Sequence, residues 1–218
     1  MDHYLGTAFF VTRNGIAFGA AHCLPKPSDV PDGLAVLAAL MIDGVPKWHR
    51  VVASLVPNNT DVAILKVSAG TTPHLEVSFD RLLMGQDVES VGIPSHNENP
   101  RSEFDFRCLK GHVVSGTHPE RLLDLSFEAP RGMSGSPVLM NGRAVGILLG
   151  SGRSEFLEDS TQHEEVRGDV TQVTKTEVRR VLHYGAAEHL WRLRDWQGEI
   201  TGGLSLPAFI AKMNTGAA

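Results

Sequence analysis

A histidine, an aspartate and a serine stand in settings that could support nucleophilic chemistry: His22 in "GAAHCL", Asp61 in "NNTDVAILKV" and Ser134 in "RGMSGSPV". A serine hydroxyl is a weak nucleophile until an imidazole accepts its proton. The imidazole serves as that base when a carboxylate holds its tautomer and stabilises its charged form. Each residue also has a plainer use. The Gly-x-Ser-Gly-Ser-Pro run is good turn chemistry, a histidine beside alanines is commonly a packed side chain, and an aspartate after Asn-Asn-Thr is commonly a turn acid. On residue type alone, Ser134 and Ser136 compete for the nucleophile's role. The three types together are a sharper signal than any one of them.

Such groups need a rigid frame, and the punctuation of the chain says what kind. Its 218 residues are 42% hydrophobic, with 22 glycines and 12 prolines spread between short apolar runs, which suits an all-β fold of many short strands. "TAFFVTRNGIAFGAA" reads as two strands joined at Asn14-Gly15. Further strands are expected at "RVVASLV", "DVAILKV", "DVESVGI", "GHVVSG", "RLLDLSF", "SPVLM" and "RAVGILLG", a barrel or sandwich rhythm. The stretch "GRSEFLEDSTQHEEVRG" reads as a long acidic loop. In "KTEVRRVLHYGAAEHLWRL", Val178, Val181, Leu182 and Leu190 recur at near-helical spacing, so a C-terminal helix is expected there. The tail's Gly-Gly break, followed by Ser and Pro, could start another helix.

Composition narrows the partners. A net charge of −5 offers no general attraction to nucleic acid or an anionic membrane. Two cysteines, Cys23 and Cys108, do not make a disulfide framework and suit a reducing compartment. "MDHYLGTAFFVT" lacks the pattern of a signal peptide and no run reaches transmembrane length, so a cytoplasmic location is expected. Cys108 and His112 lack a second ligand pair and His183 and His189 are six apart, so neither metal nor cofactor is expected.

The order His, Asp, Ser differs from that of subtilisin and of the α/β-hydrolases and is that of the chymotrypsin arrangement. "GTAFFVT", "AAHC", "DVAILKV", "GQDVESVGIP", "GHVVSG" and "GMSGSPV" follow one another as in the trypsin-like serine peptidases, and the chain resembles the bacterial Htr proteases most in style. The separations, 39 residues from His22 to Asp61 and 73 from Asp61 to Ser134, suit a compact bacterial or viral member.

The resemblance implies two six-stranded antiparallel Greek-key barrels. Residues 1–80 would form the first, carrying His22 and Asp61, and 81–174 the second, carrying Ser134; 175–218 would be a C-terminal helix and possible linker. It makes Ser134 the nucleophile and leaves Ser136, where the family has glycine, to fit the turn and bond the backbone. It assigns the oxyanion hole to the N–H groups of Gly132 and Ser134, and a wall of the primary pocket to Leu149, Gly150 and Ser151. Glu128, six residues before Ser134, falls where the family sets the pocket base and could select Arg or Lys. Met133 stands where digestive members keep the aspartate that pairs with a newly cut amino terminus, so a different means of holding the loop is expected. The implied activity is endoproteolysis of a protein or peptide substrate through an acyl-enzyme. Two rivals stay open: a protease module cleaving a partner protein within a larger regulatory or defence assembly, and a catalytically silent, peptide-binding pseudoprotease.

Overall fold

The computed structural model describes residues 5–26, 30, 35–42, 45–95, 106–115, 122–167 and 170–215. Eleven strands and one α-helix are named: β1 (Ala8–Phe10), β2 (Ile16–Ala20), β3 (Leu37–Ile42), β4 (Val45–Leu55), β5 (Val62–Val67), β6 (Asp87–Gly92), β7 (Arg107–Ser115), β8 (Leu123–Leu125), β9 (Pro137–Met140), β10 (Arg143–Arg167), β11 (Val170–His189) and α1 (Leu206–Thr215). The all-β expectation holds, and the strands divide into two units.

In the first unit the order is β1-β2-β5-β4-β3. The β1–β2 connection turns at Asn14-Gly15 as expected, with Gly15 at φ +85°. A Cβ there would sit 2.4 Å from the Val67 carbonyl oxygen, so the turn requires glycine. β5 lies between β2 and β4 and is apolar almost throughout, as a central strand covered on both faces must be.

The second unit is a closed barrel in the order β10-β11-β8-β7-β6-β9. Its core holds Leu82, Val88, Val113, Leu123, Leu125, Met133, Val138 and Leu148. A separate cluster fills the seam, where Phe9, Phe18 and Ile64 meet Leu139, Ile147, Leu190, Leu206 and Phe209. α1 closes that seam, pinned by the Asn214 amide on the Val11 carbonyl and the Arg13 N–H, both at 3.1 Å.

Three expectations need correction. Among the described residues the first unit is a curled five-stranded sheet and not a six-stranded closed barrel. The chain after β5 is drawn away to the other unit, where Ser78 N–H donates to Ala144 O and Ala144 N–H to Glu76 O, both at 2.8 Å. The helix expected over Val178–Leu190 is strand β11 as far as His189, and the expected loop from Gly152 to Gly168 is the outer part of β10 as far as Arg167, Gly168 lying outside the described residues. The two run antiparallel in register from Gly146↔His189 to Arg167↔Val170. Strand pairing over that length outweighs a local helical spacing that β-branched residues support weakly. A short 3-10 turn, Leu190–Leu193, follows β11. The tail does form a helix, α1, with Pro207 in its first turn. β3 carries little strand signal because "LAALMI" is built largely of good helix formers.

His189, at the end of β11, sets a pH dependence. Only 5% exposed, it faces the Leu82 N–H at Nε2 (2.8 Å) and the Trp191 N–H at Nδ1 (3.1 Å), an arrangement that an added ring proton would oppose. Burial, then the charges of Arg81 and Arg192, hold its pKa down to about 4. The unfolded chain takes up this proton near pH 6.5 and the folded chain only near 4. The stability is therefore complete above 6.5 and is lost as pH falls through that window, by up to ~3 kcal/mol. Thermal unfolding at pH 7.5 and 5.0 should show the loss, and His189→Gln should shrink it. An unchanged loss in that variant would assign the effect to other groups.

Candidate active site

β2 and β5 place the first two residues. Their register, with Ala20 opposite Val62, brings the turn after β2 against the residue before β5. There the Ala21 N–H donates to the Asp61 carbonyl at 2.9 Å. The Asp61 carboxylate then grips His22 twice: Oδ1 accepts the His22 backbone N–H at 2.8 Å, and Oδ2 lies 2.6 Å from Nδ1. This bond places the proton on Nδ1 and leaves the Nε2 lone pair to act as a base.

Behind Asp61 lies a residue that sequence reading did not single out. The Glu188 carboxylate, almost wholly buried, accepts the Asp61 backbone N–H and is paired with Arg192 at 2.6 Å. Arg192 also donates to the Asn59 carbonyl at 3.1 Å. Burial pushes the Glu188 carboxyl above its ordinary value, against the pull of Arg192. The pair ties the end of β11 to the Asp61 turn, and removing one partner would leave an uncompensated buried charge. Its only sequence signal is the Glu-to-Arg spacing of four in "EHLWR".

Ser134 sits on a turn shaped by two glycines, Gly132 and Gly135, each at φ +90°. Gly135 has a second reason to be glycine: a Cβ would stand 1.9 Å from the Thr7 carbonyl oxygen and 2.9 Å from Ala20 N. That closeness shows how tightly the Ser134 turn packs against the chain leading to His22. The turn is fastened from several sides. Thr7 N–H donates to Ser134 O (2.8 Å) and Thr7 Oγ1 to Gly132 O (3.1 Å), while Ser95 N–H donates to Arg131 O (2.7 Å). Gly135 N–H donates to Leu148 O at 2.7 Å, binding the turn to β10. Cys23, beside His22, has its Sγ 4.0 Å from Ser134 O, and burial first, then Asp61, pushes its thiol pKa up.

The Ser134 hydroxyl donates to Leu149 O at 2.7 Å. It is thus engaged by Leu149 and not by His22, and the catalytic hydrogen bond of such sites often tightens only when substrate binds. Ser136 is wholly buried, and its hydroxyl has no hydrogen-bond partner. The expectation that its side chain bonds the backbone is corrected. Its main chain does so instead, with N–H on Met133 O and carbonyl on Leu148 N–H. The hydroxyl is wedged against Gly92, where a Cβ would lie 1.9 Å from it.

Of the residues assigned to the pocket, Leu149, Gly150 and Ser151 follow one another on β10 beside Ser134. Ser151 Oγ accepts the Ala129 N–H and donates to the Ala129 carbonyl, both at 2.8 Å, which ties this strand to the segment before the nucleophile. Open space surrounds Gly150. Glu128 does not lie buried at a pocket base: its side chain is 58% exposed and faces His183 Nδ1 of β11 at 3.5 Å. Met133 is fully buried in the barrel core directly beneath the turn.

The trypsin-like peptidase domain model matches residues 6–147. In fold, the chain is similar to neuropsin, a serine protease expressed in the limbic system of mouse brain, with 12% identity and a TM-score of 0.58 over 88% of this chain and 86% of that one. It is also similar to the apo protease domain of MamO from Magnetospirillum magneticum, with 14% identity and a TM-score of 0.56 over 85% and 84% of the two chains. Identities this low speak for the fold alone. Among curated proteins none matches the sequence significantly. The family match spans more than half of the chain and includes His22, Asp61 and Ser134, and the chain therefore belongs to the trypsin-like peptidase domain family.

Proposed function

We propose that the protein is a serine endopeptidase that cleaves a protein substrate. His22 takes the Ser134 proton, Asp61 holds the imidazole and stabilises its charged form, and Ser134 Oγ attacks the scissile carbonyl. The tetrahedral oxyanion is received by the N–H groups of Gly132 and Ser134. His22 then returns the proton to the leaving amine, and water hydrolyses the acyl-enzyme by the same route in reverse. The observation that carries this reading is the double grip of Asp61 on His22, packed against a glycine-built turn that presents Ser134. Each oxyanion donor of this kind is worth ~3 kcal/mol of transition-state stabilisation. Leu149, Gly150 and Ser151 would wall the primary pocket, with Glu128 at its rim beside His183. The two free thiols suit a reducing compartment such as the cytoplasm, and the target could be a partner protein in a larger assembly.

A second reading rests on the Ser134–Leu149 hydrogen bond, which occupies the hydroxyl's proton: a peptide-binding protein on a peptidase fold. Treatment of the intact chain with a fluorophosphonate, followed by mass mapping, separates the two. One adduct on Ser134, with cleavage of a peptide library, supports the endopeptidase. A folded chain that takes no label and cleaves nothing leaves only the binding protein.

A further inference from the structure

The edge of β10 that faces the nucleophile continues far beyond the site. β9 accompanies β10 only as far as Ile147↔Pro137, and the chain before β9 then becomes the turn that carries Ser134. From Gly150 onward β10 keeps β11 on one side, and among the described residues no strand pairs with its other side. β8 accompanies β11 only at Gly185–Ala187. Beyond that point the two strands form a ribbon that no other strand joins among the described residues, reaching Arg167↔Val170, which at the usual strand rise is ~50 Å long.

A two-stranded ribbon is marginal in water unless a further element packs on it or adds a strand. Val173, Val181 and Leu182 are indeed exposed on β11. A third strand would complete the pairing on the open side, and the position of Ser134 says which strand that could be. Leu149 O, now held by the Ser134 hydroxyl, faces the nucleophile. By the strand's period of two, Ser151, Arg153, Glu155 and Leu157 direct their main-chain groups to the same edge. A polypeptide lying antiparallel to β10 with its scissile carbonyl at Ser134 would run its amino-terminal side outward along that edge. The register shift between Leu157 and Asp159 ends the uninterrupted stretch.

We propose that the ribbon is an extended substrate platform: β10 from Leu149 to Leu157 receives, by main-chain strand addition, about eight or nine residues on the amino-terminal side of the cleaved bond. This rests on the endopeptidase reading above and names its substrate class, a protein presenting a long, proline-free, extended segment. Main-chain pairing supplies affinity with little demand on sequence.

The test uses peptides with four, eight or twelve residues before the scissile bond, and a control series lengthened after it. The residue preceding the bond is the one preferred in library profiling, or leucine if the chain proves inert. Binding to the full Ser134→Ala chain is read by fluorescence anisotropy, and kcat/KM is read on the unaltered chain. Both should rise at least tenfold from four to eight residues and level off by twelve, with less than threefold change in the control series. Methylating the backbone nitrogen of the fifth or seventh residue before the bond should abolish the gain, while methylating the sixth should spare it. Excising Glu155–Val181 in favour of Asn-Gly should remove the gain as well. A flat series, indifference to methylation at the fifth and seventh nitrogens, or a gain that survives the excision would overturn the proposal. Length-dependent binding to the Ser134→Ala chain, from a protein that neither cleaves nor labels, would keep the platform and reject the hydrolysis.

Discussion

Ser134→Ala is expected to abolish turnover and fluorophosphonate labelling, whereas Ser136→Ala should retain both and melt higher. The two serines are one glycine apart, but their surroundings oppose each other. Ser134, half-buried, stands on a turn that packs against Ala20 and Cys23 on the chain that carries His22, and losing the serine of a catalytic triad costs on the order of 10^6-fold in kcat. Ser136 lies inside the second barrel with a hydroxyl that bonds to nothing. Replacing that group by hydrogen relieves an unpaired buried dipole and should stabilise the chain by ~1 kcal/mol. Mass mapping of the labelled residue, turnover of a library-derived peptide and thermal unfolding of both variants check the pair. Two variants equally inactive while folded, or a label on Ser136, would show that the nucleophile has been misassigned.

The intact chain is expected to label fully without any amino-terminal cut, and Met133→Ala should lose both labelling rate and stability. In digestive relatives an aspartate at this position waits for an ammonium group released by cleavage; a methionine has no charge with which to do so. Its side chain instead fills the closed barrel among Leu82, Val138 and Leu148, under the turn whose carbonyls Thr7 and Ser95 hold from outside. Truncation to alanine would open a cavity there at a cost of ~2–5 kcal/mol, while Met133→Leu conserves volume and should cost under ~1.5 kcal/mol. The rate of fluorophosphonate labelling, measured on protein of confirmed intact mass before and after limited proteolysis, tests the first half. Urea unfolding of the two variants tests the second. Labelling that arises only after an amino-terminal cut would reject burial of Met133 as the means of holding the loop.

Much of the site is legible in the residues themselves, because its requirements are local. Gly132 and Gly135 are glycine because the turn needs positive φ, and Gly135 also because Thr7 and Ala20 leave no room for a Cβ. Asn14-Gly15 announces its hairpin, and the apolar run after Asp61 announces a strand buried on both faces. What local pattern does not determine depends on which segments meet. Residues 175–189 carry a helical spacing, yet β10 offers them a longer ladder, and partners that run from Gln162 for Lys175 to Gly146 for His189 leave no mark on local periodicity. Closure of the first unit likewise turned on where residues 69–86 found hydrogen-bond partners: Leu75 on β1, Ser78 on β10 and Gly85 on β7, and among the described residues no sixth strand of the first unit. Glu188 reads as an ordinary surface acid, and only the course of β11 carries it beneath Asp61. The chemical groups and the turns that present them are written in short stretches of residues. Burial, the open edge of β10 and whether a buried polar atom finds a partner were decided only when distant strands were brought together, because those properties belong to pairs of segments and not to either one alone.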